Sequence, residues 1–327
     1  MAYSNEIVRK AAARLAQDKA DRESQILQRQ QEAYKKVPRI QEIDMLLRST
    51  MSAAAQAAFV QGQDARAAME KIMQENLKLQ KEREELAAAH FPEGYLDETP
   101  ICPVCGGNGY IGTQMCSCLL ELCRQEQKKE IAVLASEDQR FEDFRLDYYS
   151  DQPDPKLGAS HRRVMEKTKS ACQRYANTFS NDSGNLLFVG NTGLGKTFLS
   201  ACVAAAVADR GFSVAYETAS RLFSKLEKNR FNPDEQTAEA VAKIENCDLL
   251  IIDDLGTELP GNFVTAALYN VINDRLLAGK SMVISTNLNV NEIAQRYSPQ
   301  IASRLQGSFL GLTFVGQDIR VMKKRGF

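Results

Sequence analysis

The sequence predicts an α/β domain in which helices cover both faces of a parallel sheet, preceded by an all-helical region and a small cysteine-rich module. Three observations predict this order. Residues 1–90 have a helix-forming composition, most of the eight cysteines fall between Cys102 and Cys123, and short apolar runs alternate with helical stretches in the second half. The predicted boundaries are 1–90 for the helical region, 91–136 for the cysteine module with a connecting helix, 137–157 for a linker and 158–327 for the α/β domain.

The helical region should contain three helices. It is rich in Ala, Gln, Glu, Lys and Arg, and Pro38 and Gly62 are its strong helix breakers. The predicted helices are 4–36, 38–60 and 63–90. Apolar residues recur at helical spacing in the third, at Met69, Ile72, Met73 and Leu77. This stripe predicts either a bundle that packs on itself or a face that binds a partner protein.

Five short apolar runs predict the strands of the α/β domain, because runs that alternate with helices are typical of parallel sheets. The runs are 186–189, 212–216, 249–253, 282–285 and 312–315. One helix is predicted at 197–209, and a charged helix is predicted at 119–135, after the cysteines. Ligands in such folds bind at the carboxyl ends of the strands, so the residues that follow these runs are the functional candidates.

A glycine-rich motif follows the first of these strands. Residues 190–197 read Gly-Asn-Thr-Gly-Leu-Gly-Lys-Thr, which fits the pattern G-x-x-x-x-G-K-[ST] between a strand and a helix. There the glycines let backbone N–H groups surround phosphates, and the helix N-terminus adds partial positive charge. Lys196 is predicted to reach the β- and γ-phosphates of ATP, and Thr197 to bind Mg²⁺. The predicted nucleotide-binding residues are Gly190, Asn191, Thr192, Gly193, Leu194, Gly195, Lys196, Thr197 and Asp253.

Two later strands end in polar residues suited to ATP hydrolysis. The run 249–253 ends in Asp253 and is followed by Asp254. Asp253 is predicted to hold Mg²⁺, and Asp254 stands where a general base would polarise the attacking water. Asn287, which follows the run 282–285, could orient that water, although an asparagine at a strand end is usually a turn former.

Four cysteines are spaced as C-x2-C followed by C-x-C, a pattern that can close a tetrahedral Zn²⁺ site. The predicted ligands are Cys102, Cys105, Cys116 and Cys118. Four sulfur ligands leave no open position for catalysis, so the site should be structural. Cys123 could replace Cys118, His90 is a remote candidate, and a set of reduced free thiols is the alternative to a metal site.

Lys196, Asp253, Asn287 and Arg304 follow one another in an order that resembles the Walker A, Walker B, sensor 1 and arginine-finger series of AAA+ ATPases. The chain is similar in particular to the bacterial replicative helicase loaders of the DnaC/DnaI family and to their relatives, the IstB transposition helpers. The segments that carry this resemblance are RFEDF at 140–144, NLLFVG at 185–190, LYNVINDR at 268–275, STNL at 285–288, IASRL at 301–305 and GQDIR at 316–320.

The resemblance implies an AAA+ P-loop fold and roles for two arginines. Arg304 would be a finger inserted into the ATP site of a neighbouring subunit, which implies self-association, and a plain surface arginine is the alternative. Arg320 resembles a sensor 2 residue. Many AAA+ proteins have Glu at the position of Asp254, so hydrolysis should be slow. The short segment after the last predicted strand predicts that there is no C-terminal helical lid.

The resemblance also implies the partners. A loader would bind the hexameric replicative helicase through its helical region and contact single-stranded DNA, with ATP, Mg²⁺ and Zn²⁺ as ligands. The net charge of -1 excludes a basic field over the whole chain, so DNA would have to meet a local patch. The sequence has neither a run of about 18 apolar residues nor the apolar core of a signal peptide, which predicts a cytoplasmic protein.

Three alternatives share the nucleotide site. The first is an IstB-like helper of a DNA transposase. The second is a structural adaptor that responds to nucleotide and for which hydrolysis is incidental. The third is a P-loop kinase of small molecules, which would need an acceptor pocket and a lid that the sequence does not indicate. Phe141 and Phe144 could lie near the adenine, but buried aromatic residues of a core are the preferred interpretation.

Overall fold

The computed structural model describes residues 3–57, 63–135 and 139–324, and the side chains of 51–57, 63–69 and 132–135 are outside the description. The chain forms two compact units. One contains Ala13–Cys118, and the other contains Met1–Ala12 together with Leu119–Phe327. The domain boundaries proposed from the sequence stay predictions.

The described secondary structure runs from three long helices, through a small hairpin, to an alternation of strands and helices. The helices are α1 (Asn5–Lys36), α2 (Pro38–Ala57), α3 (Gln63–His90), α4 (Ser117–Ala135), α5 (His161–Asn177), α6 (Lys196–Asp209), α7 (Ala219–Phe231), α8 (Glu235–Asn246), α9 (Asn262–Leu277), α10 (Val290–Arg296), α11 (Pro299–Ser308) and α12 (Ile319–Lys324). The strands are β1 (Tyr110–Ile111), β2 (Gln114–Met115), β3 (Pro153–Asp154), β4 (Ala159–Ser160), β5 (Asn185–Val189), β6 (Val214–Thr218), β7 (Leu249–Leu255), β8 (Ser281–Thr286) and β9 (Phe309–Thr313). Two 3-10 turns lie at Phe141–Asp143 and Leu146–Tyr148.

Three helices dominate the smaller unit, as the sequence predicts, although residues 58–60 of the predicted second helix lie outside the described residues. Asp44 of α2 ties the three together. Its carboxylate accepts hydrogen bonds from the hydroxyl of Tyr34 in α1, at 2.8 Å, and from Nε of Arg83 in α3, at 2.6 Å. Of the apolar stripe predicted on α3, Met73 and Leu77 are exposed and Ile72 is half-buried, while the side chain of Met69 lies outside the description.

A five-stranded parallel sheet forms the centre of the larger unit, in the order β6-β7-β8-β5-β9. Its strands are apolar because helices cover both faces. One hydrophobic core contains residues of α5 and α6, and a second core contains residues of α7, α9 and α11. Residues of β7 contribute to both cores. This confirms the predicted α/β class. None of the helices that the structure describes is long and apolar enough to cross a membrane.

Two strands lie elsewhere than the apolar runs indicate. The strand predicted at 212–216 is β6, which spans Val214–Thr218. It begins at Val214 because the carboxamide of Gln127 donates to the carbonyl oxygen of Phe212, at 2.9 Å, and accepts from the N–H of Val214, at 3.0 Å. The run 312–315 is replaced by β9, which spans Phe309–Thr313. Its register along β5 sets both of its ends, and β5 itself stops at the glycine-rich loop.

Candidate nucleotide site and candidate metal centre

The glycine-rich loop joins β5 to α6 and uses backbone that favours glycine. Gly193 and Gly195 have φ angles of 75° and 86°, in the left-handed region. A Cβ atom at Gly193 would lie 2.0 Å from Oδ1 of Asp318, and one at Gly195 would lie 2.9 Å from the ring of Phe144. The loop therefore needs glycine both for its turn and for the close approach of its neighbours.

Residues that precede the loop in the sequence and residues that follow it both hold the loop by hydrogen bonds. The hydroxyl of Tyr149 donates to the carbonyl oxygen of Leu194 at 3.1 Å, and the N–H of Ile319 donates to that of Gly193 at 3.0 Å. Tyr149 is 1% exposed, so its hydrogen bond is shielded from water. The sequence indicated the loop itself but neither of these two supports.

Lys196 begins α6 and is buried at the base of the loop. Its ammonium donates to the carbonyl oxygens of Gly190, at 2.7 Å, and Asn191, at 2.8 Å. Burial lowers the pKa of Lys196, the carboxylates of Asp254 and Asp253 oppose that shift, and the positive charge of Arg320 adds to it. A positive charge at a helix N-terminus, under a loop of backbone N–H groups, suits phosphate.

Asp253 lies on β7 and is 2% exposed. Its Oδ2 accepts a hydrogen bond from the hydroxyl of Tyr216, on β6, at 3.0 Å, and its Oδ1 accepts one from the hydroxyl of Ser285, on β8. Two neutral donors from the flanking strands therefore hold the carboxylate in place. The sequence does not indicate a role for Tyr216 or Ser285 by a motif, but both stand at the ends of apolar runs, and the ends of parallel strands meet at one edge of the sheet.

Asp254 has the only positive φ among the non-glycine residues that the structure describes, at 56°. The β7–β8 register shifts between Ile252 and Leu255, and the N–H of Asp254 donates to Oγ of Ser285 at 2.9 Å. Burial raises the pKa of Asp254, the charge of Asp253 raises it further, and Lys196 and Arg320 act in the opposite direction. Strained backbone and a raised pKa are common at functional sites.

Three other predicted residues lie around this edge of the sheet. Thr197 is half-buried in the first turn of α6, and Asn287 is exposed directly after β8. Arg320 is exposed on α12, and its charge is among those that act on Lys196 and Asp254. The predicted site residues of the loop, the strand ends and the C-terminal helix therefore surround one location.

Arg304 has a different environment, on α11. Its Nη2 donates to the hydroxyl of Tyr269, at 2.9 Å, and to Oδ1 of Asn273, at 2.8 Å, and its guanidinium lies 4.5 Å from the centre of the Tyr269 ring. Both partners belong to α9, and neither of these hydrogen bonds joins Arg304 to the glycine-rich loop of its own chain.

Phe141 and Phe144 are core residues, 8% and 5% exposed. The Phe144 ring stacks on Tyr149, with ring centres 5.7 Å apart, and contacts Phe198 at 5.6 Å. This agrees with the preferred interpretation from the sequence. The same part of the chain contains Tyr149, whose hydroxyl donates to Leu194 of the glycine-rich loop.

The four predicted cysteines of the metal site come together around the β1–β2 hairpin, with all their Sγ atoms within 4.8 Å of one another. The sulfur atoms of Cys105 and Cys118 are 3.4 Å apart, and those of Cys102 and Cys116 are 3.8 Å apart. The N–H of Gly109 donates to Sγ of Cys105 at 3.3 Å, which orients that sulfur.

This donor set fits a zinc ion. Tetrahedral Zn²⁺ with Zn–S bonds of about 2.3 Å keeps its sulfur ligands about 3.8 Å apart. Among the described residues, Cys118 and not Cys123 completes the cluster, and His90 is outside it. Burial raises the pKa of Cys123 to about 11, so that thiol stays protonated.

Comparison of the sequence with known families and proteins gives three results. The family model described as IstB-like ATP binding protein matches residues 126–304. The replicative helicase loader DnaC of Buchnera aphidicola (subsp. Baizongia pistaciae) is 25% identical over 157 residues, which are 47% of this chain and 62% of the relative. A putative insertion sequence ATP-binding protein of Sinorhizobium fredii is 32% identical over 103 residues, which are 32% of this chain and 34% of the relative.

Among solved structures, the crystal structure of the DnaC helicase loader aligns with a TM-score of 0.45 and 19% identity, and it covers 54% of this chain and 98% of the other. The chain spans about three fifths of the length of the curated DnaC relative.

Proposed function

Because the chain belongs to the IstB-like ATP-binding protein family, we propose that it is an ATPase that loads a replicative DNA helicase onto single-stranded DNA. The observation that carries the ATPase activity is the meeting of Lys196, Asp253 and Asp254 at one edge of the sheet. Relatives named as replicative helicase loaders support the loading role.

The loop and Lys196 would bind the phosphates of ATP. When bound, Mg²⁺ neutralises charge on the phosphate oxygens, and Thr197 and Asp253 are the residues that would hold it. Asp253 suits this role because its carboxylate is already held by hydrogen bonds in one orientation. The fit of ATP rests on the glycine backbone of the loop and on the buried ammonium beneath it.

Asp254 would act as the general base for hydrolysis. The oxygen of a water attacks the γ-phosphorus, the bond from that phosphorus to the β–γ bridging oxygen breaks, and the Asp254 carboxylate accepts the water's proton. ADP and phosphate then leave. Asn287 would orient the water. The aspartate side chain is one methylene shorter than the glutamate found in many AAA+ proteins, so turnover should be slow.

Arg304 would complete the site of a neighbouring copy of the chain. Tyr269 and Asn273 hold its guanidinium on the surface of α9, and a positive charge fixed in this way costs less to bring against a γ-phosphate. Self-association in an open ring or spiral would then couple the subunits. Arg320, whose charge acts on Lys196 and Asp254, would sense the nucleotide within its own chain.

The smaller unit, Ala13–Cys118, would bind the hexameric helicase. Its α2 and α3 expose large apolar side chains, which are costly to leave in water and are typical of protein interfaces. These are Met45 and Leu46 on α2, and Met73 and Leu77 on α3. Methionine side chains adapt to a partner surface because they are unbranched and flexible.

Single-stranded DNA would bind at an aromatic and basic surface of α7 and α9. Phe231 is 68% exposed and lies 6.0 Å from the Phe263 ring. The Arg230 guanidinium lies 5.5 Å from the centre of the first ring and 5.8 Å from that of the second. Exposed rings and nearby guanidinium groups are the elements on which unpaired bases stack.

The cysteine cluster would bind Zn²⁺ as a structural ion. The four cysteines would fill all four positions of a tetrahedral site, so the ion would stabilise the hairpin and take no part in ATP hydrolysis.

A second candidate is an ATPase helper of a DNA transposase, which the likeness to an insertion sequence ATP-binding protein favours. It would use the same nucleotide site and a different partner. One experiment distinguishes the two candidate functions. The purified chain is mixed with the replicative helicase and ATP, and the masses of the complexes are measured by native mass spectrometry, with Lys196→Ala as the control.

A complex with several copies of this chain per helicase hexamer, lost in Lys196→Ala, is the result we expect. Absence of a complex with any nucleotide would contradict the loading role. The same measurement with a transposase would then test the second candidate.

A further inference from the structure

Near the carboxyl ends of three neighbouring strands, the hydroxyls of Tyr216 and Ser285 both donate hydrogen bonds to the Asp253 carboxylate. We propose that Tyr216 and Ser285 are positioning residues for metal-dependent nucleotide binding, which hold the Asp253 carboxylate in the orientation that Mg²⁺ requires. This inference rests on the proposed ATPase function, since it assigns Asp253 to the metal. Neither hydroxyl would touch the reacting atoms.

The topology of the sheet makes these two contacts possible. β7 lies between β6 and β8, and Thr218 on β6 is in register with Asp253. Tyr216 and Ser285 project from the same face of the sheet as Asp253, because all three meet by hydrogen bonds. A donor from each side therefore meets the carboxylate in the middle.

Each of the two hydroxyls donates to a different oxygen of the Asp253 carboxylate. Tyr216 donates to Oδ2 at 3.0 Å, and Ser285 donates to Oδ1. Rotation of the Asp253 side chain would break both hydrogen bonds in a place that water does not reach, since Tyr216 is 2% exposed and Ser285 is fully buried. A carboxylate has about four lone-pair positions, so two hydroxyl donors leave others free for a metal ion or its water.

Ser285 has a second contact, with Asp254. Its Oγ accepts the N–H of Asp254 at 2.9 Å while its hydroxyl hydrogen points to Asp253. The same oxygen thus links the orientation of one carboxylate to the left-handed backbone of the next residue. Loss of the Ser285 hydroxyl should disturb both aspartates, whereas loss of the Tyr216 hydroxyl should disturb Asp253 alone.

The test uses the full chain with Tyr216→Phe and Ser285→Ala. The control is Tyr175→Phe, which removes a hydroxyl that donates to the carbonyl oxygen of Gly184, at 2.9 Å. A fluorescent, non-hydrolysable ATP analogue is titrated at increasing Mg²⁺ concentrations and also in EDTA. Melting temperatures are measured in parallel.

We expect Tyr216→Phe to raise the Mg²⁺ concentration for half-maximal nucleotide binding by about tenfold, as is typical when a partner of a metal ligand is removed. Binding in EDTA should match the wild type, because Lys196 and the loop are unchanged. Ser285→Ala should show the same shift and also a lower kcat at saturating Mg²⁺. Ser285→Thr, which keeps the hydroxyl, should recover the Mg²⁺ dependence.

An unchanged Mg²⁺ dependence in Tyr216→Phe, with a wild type that binds the analogue in a Mg²⁺-dependent manner, would overturn this inference and leave the ATPase function standing. Equal losses of binding with and without Mg²⁺ would also overturn it, because they would indicate general damage to the site. A wild type that does not bind the analogue would overturn the proposed function and this inference together.

Discussion

The backbone N–H of Asp254 donates a hydrogen bond of 2.9 Å to the hydroxyl oxygen of Ser285 on the neighbouring strand. This contact supports the left-handed backbone of Asp254 and places its carboxyl group in a partly buried position beside Lys196.

Asp254→Asn should abolish ATP turnover and raise the melting temperature at neutral pH. The folded pKa of Asp254 lies above its unfolded value, so the ionised form costs stability. That cost is absent below the unfolded pKa and grows as the pH rises through the folded pKa. Asparagine tolerates positive φ and removes the charge. Turnover assays and thermal melts at several pH values check this, with the exposed Asp182→Asn as the control.

ATP turnover by the wild type should fall on acidification, because Asp254 must be ionised to accept a proton from water. The raised pKa moves this fall to a higher pH than for an ordinary aspartate. An Asp254→Asn protein with normal turnover would contradict the role of general base.

Gly193→Ala should abolish nucleotide binding. Its Cβ would lie 2.0 Å from Oδ1 of Asp318, and its φ of 75° costs an alanine about 1–2 kcal/mol. Gly184→Ala is the matched control, because its Cβ would meet no atom within 4 Å. Titration with a fluorescent ATP analogue measures both variants, and equal affinities would show that the loop tolerates a side chain.

Arg304→Ala should lower ATP turnover by about 10³-fold, the contribution typical of an arginine finger, without loss of ATP binding. Lys196→Ala should be inactive because it cannot hold the phosphates. If Arg304 acts on a neighbour, a mixture of the two inactive variants should regain turnover, since some subunit pairs combine an intact loop with an intact arginine. A mixture that stays inactive would argue against action between subunits.

Cys118→Ser should lose zinc, whereas Cys123→Ser should keep about one ion per chain. The reason is that Sγ of Cys118 lies 3.4 Å from Sγ of Cys105, while Cys123 is outside the four-sulfur cluster of the described residues. Metal analysis by mass spectrometry after gel filtration compares the two. Removal of zinc by a chelator should lower the melting temperature of the wild type more than that of Cys118→Ser.

Phe231→Ala should weaken binding of single-stranded DNA by about 1–3 kcal/mol, the typical value for loss of one stacked base. Leu277→Ala is the control, because Leu277 is also exposed, at 80%, and offers no ring. Fluorescence anisotropy with a labelled oligonucleotide measures both. Equal affinities of the two variants would place the DNA elsewhere.

The motif-bearing parts of the molecule could be predicted from local sequence. The glycine-rich loop, the aspartates after a buried strand and the cysteine spacing each contain their chemistry within a few residues. The three N-terminal helices were also predictable, since the segment is long, rich in helix formers and interrupted by few breakers. The strand ends were less so, because Gln127 and β5 set them from a distance.

The sequence by itself determined the α/β class, the nucleotide loop and the four cysteines, because these depend on local patterns and fixed spacings. Only the tertiary structure decided which side chains support them. Tyr149 and Tyr216 contact the site although they are tens of residues away from their partners in the sequence. The structure also shows that the sulfur atom of Cys118, and not that of Cys123, completes the cysteine cluster of the described residues. Hydrogen bonds between distant residues leave no periodic signal in the chain, since they depend on strand order and on which faces the strands share.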